Sequence, residues 1–370
     1  RVGATVRTSD TVARLAGDEF AVLIEQPPDG HEVELMVERL CLAISTPMVL
    51  ADEVVSVTAS AGIATLAKGS SASTLLSEAE AAMFNAKRTG RGRWARYHSG
   101  MAIGRADRLR LEADLATVAD RDELVLHYQP VIDLATERTT GFEALVRWQH
   151  PVRGLLGPDQ FVPVAEETGA IVAIGRWVLH EACATLARWQ AMPGGSNLTM
   201  AVNVSAHQVG ISALATDVAG ALSRTGIDPS SLVLELTETA LVHDPGAVAG
   251  ELVELRRLGV RIAVDDFGTG YSSFSYLQQF PVDVLKIDRS FVETIGEAHS
   301  TPAIVRGLLD LGHALGLELV AEGVERPIEQ QALRRDGCHL AQGYLFSKPL
   351  PRCEAEAMVI SSAVEELDRS

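Results

Sequence analysis

From Leu124 onward, short apolar segments alternate with longer segments of helical periodicity, and this alternation limits the possible folds more than any other feature of the chain. The apolar segments read, in order, LVLHYQPV, GFEALVRW, TMAVNVSA, SLVLELTE, VRIAVDDFG, VDVLKIDRS, LELVAEGVE and HLAQGYLFS. Between them, Thr301-Pro302 predicts a helix start with proline at the first helical position, and Gly316 predicts its end. Eight strands alternating with helices over roughly 240 residues fit a (β/α)₈ barrel in number and length. A doubly wound open sheet is the alternative.

Polar residues stand at the end of nearly every predicted strand. In a barrel the carboxyl ends of the strands meet at one mouth, where catalytic residues lie. A single acid there can be a helix cap, because Asp and Glu near a helix N-terminus interact favourably with the helix dipole. The whole set, which includes an asparagine and a lysine, favours a functional site: Glu143, Asn203, Glu235, Asp265, Asp266, Lys286, Asp288, Glu322 and Gln342.

The chemistry of these side chains indicates divalent cations. Carboxylate and amide oxygens are hard ligands that suit Mg²⁺ or Mn²⁺ better than zinc. The acids are numerous enough for two ions, and one of the adjacent Asp265 and Asp266 could bridge them, as in phosphodiester hydrolases. Arg147 could bind a phosphate through two hydrogen bonds, and Lys286 could orient a water molecule. The residues therefore favour metal-assisted phosphoester hydrolysis, with enolate chemistry on a barrel as the rival.

The segment EALVRW, from Glu143 to Trp148, resembles the signature of EAL-domain cyclic di-GMP phosphodiesterases. The resemblance continues, in family order, through YQPV, PDQFVPVAEETG, VNVS, ELTET, DDFGTGYSS, LKIDRSFV, VAEGVE and QGYLFSKPL, and it covers the chain from Glu123 to its end. The family has a barrel fold and opens cyclic di-GMP to linear pGpG with Mg²⁺ or Mn²⁺. The resemblance thus implies this fold, this reaction and these ions for the present chain.

Roles for individual residues follow from the same resemblance. Lys286 would contact the catalytic water, Gln342 would face the site and Arg147 would hold a substrate phosphate. Glu238 would position the loop DDFGTGYSSFSYL, which in the family couples dimerisation to metal binding. Asp265 would bridge the two ions. The implied metal ligands are Glu143, Asn203, Glu235, Asp265, Asp266 and Glu322, of which Glu143, Asp265 and Glu322 are also expected, with Lys286, to be catalytic.

The first hundred residues resemble part of a different domain. The segment RLAGDEF predicts a strand, a turn and a second strand, and it is similar to the GGDEF signature of diguanylate cyclases, although Ala16 replaces the first glycine. The residues that match cyclase motifs are Gly17, Asp18, Glu19, Lys87 and Arg91. The family's upstream metal-binding and guanine-binding residues have no counterpart here, so we expect a truncated cyclase domain that does not cyclise GTP. Arg7 and Asp10 match the spacing of the family's inhibitory site for cyclic di-GMP.

These patterns predict three regions. Residues 1–97 are expected to form the C-terminal part of a GGDEF domain, 98–122 a connecting helix, and 123–370 the EAL phosphodiesterase barrel. The charged amphipathic stretch IGRADRLRLEADLATV carries the helix prediction. Family resemblance also implies a homodimer formed through the EAL domain.

Composition excludes several other classes of protein. A formal charge of −17 argues against binding a DNA or RNA polymer, which needs a basic face. The four cysteines are scattered without zinc-like or redox spacing, which indicates a reducing compartment. No signal peptide or membrane-spanning apolar segment is evident. The sequence therefore predicts a cytoplasmic chain, although a membrane anchor in an upstream region of the parent protein stays open.

Three functions fit this reading of the sequence. The leading one is a cyclic di-GMP phosphodiesterase, because all of the metal ligands expected for the family and its lysine are present. The second is a receptor that binds cyclic di-GMP without hydrolysing it. The third is a bifunctional cyclase and phosphodiesterase in the full-length parent.

Overall fold

The structure is a computed structural model, and its backbone divides into two compact units, Arg1–Leu111 and Glu112–Ser370. The described residues are 1–7, 9–25, 30–50, 53–55, 57–66, 71–88, 92–97, 99–209, 214–243, 245–268, 280–296 and 301–368. Among them, no helix is long and apolar enough to cross a membrane.

The first unit is built from strand pairs and helices. Strands β1 and β2 form the predicted antiparallel hairpin, β3 pairs with β4 antiparallel, and β5 pairs with β6 in parallel. Its strands are Thr11–Ala16 (β1), Glu19–Leu23 (β2), Met48–Leu50 (β3), Glu53–Val55 (β4), Ala61–Ile63 (β5) and Trp94–Arg96 (β6). Its helices are Val2–Thr5 (α1), Gly30–Ser45 (α2), Ala72–Arg88 (α3) and Ser99–Leu115 (α4), of which α4 ends in the second unit.

A small apolar core holds the first unit together. Val33 and Val37 of α2 pack with Ile63 of β5, and Trp94 of β6 packs against them. Several large apolar side chains of the same unit lie at the surface, among them Phe20 at 53% exposure. This unit therefore buries its apolar side chains less completely than the barrel does.

The second unit is a closed barrel of eight strands. Around the barrel, each strand pairs with the next, and the last strand pairs back onto the first. The eight strands are Leu124–Asp133 (β7), Thr139–His150 (β8), Thr199–Asn203 (β10), Leu232–Thr237 (β11), Arg261–Phe267 (β12), Val284–Ile287 (β13), Glu318–Ala321 (β14) and Leu340–Ala341 (β15). They coincide with the eight predicted segments, so the barrel is confirmed. The open doubly wound sheet is wrong because the sheet closes on itself.

One strand departs from the regular (β/α)₈ pattern. Strand β7 runs antiparallel to both of its neighbours, β8 and β15, whereas the other adjacent barrel strands run parallel. A short connection between β7 and β8 permits this, because antiparallel strands need no helical crossover. Two short strands, Gly154–Leu156 (β9) and Leu350–Pro351 (β16), pair with β8 and β7 respectively.

Helices lie between the parallel strands of the barrel, and one more helix follows β16. They are Pro158–Thr168 (α5), Ile171–Gln190 (α6), Ala206–Val209 (α7), Leu214–Thr225 (α8), Glu238–His243 (α9), Pro245–Arg257 (α10), Arg289–Val292 (α11), Ala303–Leu315 (α12), Pro327–Arg335 (α13) and Arg352–Asp368 (α14). Gly316 ends α12 in the left-handed conformation, with φ of 69°, as predicted. Pro302 occupies the N-cap rather than the first helical position, because its ψ of 145° is extended.

The C-terminal end of β8 is hydrogen-bonded to the last turn of α4. The buried His150 accepts hydrogen bonds at Nδ1 from the backbone N–H groups of Val152 and Arg153, at 3.1 and 3.2 Å. With Nδ1 unprotonated, Nε2 carries the proton and donates to Asp114 Oδ2 at 3.2 Å. The imidazole therefore fixes both the turn after β8 and the last turn of α4.

We expect His150→Leu to lower the free energy of unfolding of the barrel by about 1 kcal/mol, because it removes the acceptor of two backbone N–H groups in the turn after β8. Urea denaturation followed by tryptophan fluorescence measures the change. Val152→Ala is the matched control, since this side chain is 87% exposed. An unfolding midpoint for His150→Leu equal to that of the control would contradict the assigned role.

Candidate active site

The site lies directly above an apolar layer inside the barrel. This layer consists of Ala201, Val233, Ala263, Val284 and Val320. Side chains on one face of a strand recur at every second residue, so the position two residues further along each chain segment also faces inward. Those positions are Asn203, Glu235, Asp265, Lys286 and Glu322. The polar residues at the predicted strand ends are therefore brought together by the regular geometry of the barrel.

Four carboxylates surround the ammonium group of Lys286. Its Nζ lies 2.6 Å from Glu322 Oε1 and 2.8 Å from Glu235 Oε2. Asp265 Oδ1 follows at 3.3 Å and Glu143 Oε2 at 3.6 Å. Lys286 is only 1% exposed. A buried lysine of this kind stays charged only because anions compensate for its lost hydration.

Two amide side chains orient Glu143. Asn203 Nδ2 donates to Glu143 Oε1 at 2.6 Å, and Gln342 Nε2 donates to Glu143 Oε2 at 2.7 Å. The same nitrogen of Gln342 lies 3.4 Å from Glu322 Oε1. Gln342 Oε1 is buried and has no hydrogen-bond partner among the described residues. The site therefore contains an amide oxygen that can accept a hydrogen bond or bind a cation.

An irregularity in β12 lets adjacent aspartates face the same site. In a regular strand, Asp265 and Asp266 would point to opposite faces. Here the register with β13 shifts between Val264 and Phe267, and Asp266 has a φ of 53°. Aspartate tolerates this left-handed conformation better than most residues do. Oxygens of Asp265, Asp266 and Glu322 consequently lie within 4.8 Å of one another.

The electrostatics of the site show an excess of negative charge. Burial raises the pKa of Glu235 well above its usual range, and the neighbouring carboxylates raise it further. Burial also raises the pKa of Glu322 to about 8, with Lys286 opposing the shift and Asp265 adding to it. Burial and the neighbouring Asp265 raise the pKa of Asp266. These carboxylates would release protons more readily if additional positive charge were present.

Lys286 and Glu143 are the groups whose charged forms prevail. Burial disfavours the lysine ammonium, but the surrounding carboxylates, Glu143 first, outweigh that effect and raise its pKa. Burial likewise disfavours the Glu143 carboxylate, yet Lys286 and the hydrogen bonds from Gln342 and Asn203 hold its pKa below the usual value. One lysine therefore offsets only part of the charge of the acids around it.

The composition of the cluster fits divalent cations. Its donors are carboxylate and amide oxygens, which Mg²⁺ and Mn²⁺ prefer. Burial first, and then the neighbouring carboxylates, raise the pKa values of Glu235, Glu322 and Asp266. Gln342 Oε1, which has no hydrogen-bond partner in the described part of the chain, can bind a cation or accept a hydrogen bond.

Two further predicted residues lie around this cluster. Arg147 is on β8, four positions beyond Glu143, and it interacts electrostatically with that carboxylate. Burial lowers the pKa of the Arg147 guanidinium. Glu238 is buried at the start of α9, and its Oε2 accepts the backbone N–H of Gly268 at 3.0 Å. This bond holds the backbone directly after β12. The rest of the predicted loop DDFGTGYSSFSYL lies outside the described residues.

The remaining predicted residues belong to the first unit. Gly17, with φ of 53°, Asp18 and Glu19 are exposed at the tip of the β1–β2 hairpin. Lys87 is exposed on α3, and Arg91 lies outside the described residues.

The candidate inhibitory pair is also in the first unit. The Arg7 backbone N–H donates to Asp10 Oδ2 at 2.9 Å, so the two residues form a local turn. Asp10 Oδ1 is buried and has no partner among the described residues.

Sequence reasoning did not single out three polar residues near the cluster. Gln129 is buried on β7 directly opposite Glu143 in the β7–β8 register. Glu166 and Ser205 form a hydrogen bond beside Asn203. A glutamine inside the apolar segment LVLHYQPV is a signal that could have identified Gln129. The Glu166–Ser205 pair has no comparable signal, because its members are 39 positions apart.

The sequence matches two known domain families. Residues 112–349 match the family described as EAL domain, and residues 1–93 match the family described as diguanylate cyclase, GGDEF domain.

Curated relatives show the same order of domains. The bifunctional diguanylate cyclase/cyclic di-GMP phosphodiesterase MucR of Pseudomonas aeruginosa is 42% identical over 367 residues, which are 98% of this chain and 52% of MucR. The cyclic di-GMP phosphodiesterase NbdA of the same organism is 39% identical over 357 residues, which are 96% of this chain and 45% of NbdA. The chain thus spans about half the length of the curated relatives it matches.

Solved structures resemble the second unit. The structure described as PaMucR phosphodiesterase in complex with c-di-GMP is 43% identical, with a TM-score of 0.63, and covers 66% of this chain and 99% of that one. The EAL enzyme Bd1971 with cAMP and cyclic di-GMP bound is 32% identical, with a TM-score of 0.65, and covers 69% and 70% respectively. With its barrel, its acidic cluster and a family match over more than half of its length, the chain belongs to the EAL-domain family and carries GGDEF-domain sequence on the N-terminal side of the barrel.

Proposed function

We propose that the barrel hydrolyses cyclic di-GMP to linear pGpG and that it requires Mg²⁺ or Mn²⁺. The observation that carries this proposal is the convergence of four carboxylates on one buried lysine at the carboxyl ends of the barrel strands, with Asp266 beside two of them. The names of the relatives support the substrate, since MucR and NbdA are both described as cyclic di-GMP phosphodiesterases. A related barrel has been solved as a complex with c-di-GMP.

The acidic cluster would hold two ions. The residues proposed to bind them are Glu143, Asn203, Glu235, Asp265, Asp266 and Glu322, with Asp265 as the bridging ligand. Divalent cations at such a site neutralise phosphate charge and lower the pKa of water, which makes hydroxide available near neutral pH. The oxygen-rich donor set and the mutual repulsion of the acids support this assignment.

The other side chains would bind the substrate, orient the attacking water or hold the metal ligands in place. Arg147, whose guanidinium lies on the same strand as Glu143, would bind a phosphate oxygen of the substrate. Lys286 keeps its proton and would hold the attacking water by hydrogen bonding while offsetting charge on the phosphorus centre. Gln342 keeps Glu143 in a fixed orientation and presents its own amide oxygen to the site. Glu238 holds the start of the loop after β12.

The first unit would have a regulatory or vestigial role within this proposal. We assign residues 1–97 to the C-terminal part of a GGDEF domain, 98–122 to a connecting helix and 123–370 to the catalytic barrel. We also propose that the barrel forms a homodimer and that the first unit makes no cyclic di-GMP from GTP. Analytical ultracentrifugation and incubation with GTP and Mg²⁺ test these two statements.

Incubation with cyclic di-GMP and Mg²⁺ or Mn²⁺, followed by chromatographic separation of the nucleotides, tests the proposed function. We expect pGpG to appear and its formation to stop when EDTA removes the ions. Tight binding of cyclic di-GMP without any pGpG would contradict the enzyme and support the receptor instead.

We expect Glu143→Ala and the isosteric Glu143→Gln to abolish pGpG formation. Each removes a carboxylate that is a proposed metal ligand and that also contacts Lys286 and Asn203. Circular dichroism should show an unchanged fold for Glu143→Gln. Gln149→Ala on the same strand is a control, since this residue is exposed. Hydrolysis retained by Glu143→Gln would refute the metal assignment.

We expect Lys286→Met to lower kcat by about 10²–10³-fold, the usual cost of removing one group that stabilises charge in the transition state. Single-turnover kinetics with saturating Mn²⁺ measure the chemical step. Lys348→Met removes a lysine whose Nζ lies over the ring of Tyr344, 5.3 Å from its centroid, and serves as the charge-matched control. Similar values of kcat for the two variants would contradict the role given to Lys286.

We expect Mn²⁺ to raise the melting temperature, because the bound cation relieves repulsion among the acids. At an ion concentration about 100 times Kd, linkage predicts a stabilisation of about 2.7 kcal/mol. Differential scanning calorimetry measures the shift, with NaCl of equal ionic strength as the control. Asp266→Asn should reduce the shift, and an identical response to Mn²⁺ and NaCl in the unsubstituted chain would count against a metal site.

A further inference from the structure

The turn that follows β10 is anchored from outside the barrel by α5. Ser205, two residues after Asn203, donates its Oγ–H to Glu166 Oε1 at 2.6 Å. Ser205 Oγ in turn accepts the backbone N–H of His207 at 3.2 Å. Because the hydroxyl is both donor and acceptor, its orientation is fixed by Glu166 on one side and by the backbone on the other.

A second anchor comes from Gln208 of α7, which packs against α6. The buried Gln208 accepts the backbone N–H of Ser205 at its Oε1, at 3.1 Å. The Gln208 amide packs against Gly175 of α6, where a Cβ atom would lie 2.1 Å from Gln208 Nε2. Glycine at position 175 therefore leaves the space that this amide needs. Two helices thus hold the same turn through Ser205, one by its side chain and one by its backbone.

On the barrel side, the same turn sets the position of Asn203. The next residue, Val204, donates its backbone N–H to Glu235 O at 2.8 Å. The Asn203 side chain donates to Glu143 Oε1 at 2.6 Å. Asn203 is the last residue of β10, so its χ angles and its distance from Glu143 depend on the path of the backbone that follows. That path passes through Ser205.

We propose that Glu166 is a positioning residue which, through Ser205, holds Asn203 in the orientation needed for metal binding and hydrolysis. This inference rests on the proposed function, in which Asn203 is a metal ligand. Glu166 itself would touch neither the ions nor the substrate. The interaction needs only a hydrogen-bond acceptor at position 166, because the Ser205 hydroxyl is the donor. Position 166 therefore needs no charge, but an apolar side chain there would leave the Ser205 hydroxyl without its acceptor.

This requirement separates two substitutions of nearly equal size. Glu166→Gln keeps a carbonyl oxygen that can accept from Ser205, whereas Glu166→Met keeps the volume and loses the acceptor. Ser205→Ala removes the donor and should reproduce the effect of Glu166→Met. Gly175→Ala should displace the Gln208 amide while favouring the helical conformation of α6, so it tests the second anchor without weakening that helix.

The first readout requires neither metal nor substrate. The chain contains three asparagines, Asn85, Asn197 and Asn203, so selective ¹⁵N-asparagine labelling gives a side-chain amide spectrum with few signals. The two side-chain N–H signals of Asn203 are identified by their absence from the spectrum of Asn203→Ser. We expect Glu166→Met, Ser205→Ala and Gly175→Ala to shift these signals in the metal-free protein, and Glu166→Gln to leave them near the positions seen for the unsubstituted chain.

The second readout is Mn²⁺ affinity by calorimetric titration of the full chain, with the melting temperature in EDTA as a folding control. Loss of residues that orient metal ligands typically weakens metal binding by 10–100-fold, and we expect about this loss for Glu166→Met and Ser205→Ala, with recovery in Glu166→Gln. A merely structural bond would change the melting temperature in EDTA and leave Mn²⁺ affinity unchanged.

The two readouts separate this inference from the proposed function. Unchanged Asn203 signals in Glu166→Met and Ser205→Ala would overturn the positioning role. Shifted signals with unchanged Mn²⁺ affinity would overturn it as well, because Asn203 could then move without affecting the site. If the unsubstituted chain binds no Mn²⁺, the proposed function fails, while the amide spectrum still decides whether Glu166 positions Asn203.

Discussion

The ion cluster around Lys286 is the interaction on which the rest of the site depends. An ammonium group that is 1% exposed would lose its proton or destabilise the fold unless anions surrounded it. Removing one partner from such a buried pair typically costs about 3–5 kcal/mol, because an uncompensated charge remains. The barrel supplies the anions from several different strands, so the cluster can form only when the sheet is closed. Site assembly and barrel closure are therefore linked.

An apolar layer beneath the cluster gives this arrangement its rigidity. The residues two positions before Asn203, Glu235, Asp265, Lys286 and Glu322 pack together inside the barrel. Each polar side chain is thus carried by a strand whose adjacent inward position is fixed by close packing. The irregularity in β12 is the exception to regular strand geometry, and it places two successive acids on one side. Such bulges commonly occur next to functional sites, where they redirect a side chain.

Hydrogen bonds from outside the barrel complete the positioning. Glu238 reaches Gly268 at the end of β12, and Glu166 reaches Ser205 after β10. His150 joins the turn after β8 to the end of α4. In each case a polar side chain of a neighbouring element fixes the backbone that follows a strand carrying site residues. These hydrogen bonds explain how site residues at the ends of strands, next to loops, keep their geometry.

The eight strands, their order and the polar residues at their ends could be predicted from the spacing of apolar residues along the chain. The hard-ligand chemistry could also be predicted, because it depends on residue type alone. The antiparallel direction of β7 and the inward turn of Asp266 could be seen only in the folded chain, since both depend on pairing between strands distant in sequence. The Glu166–Ser205 bond was equally hidden, because a hydrogen bond between segments far apart in the chain leaves no periodic pattern in the sequence.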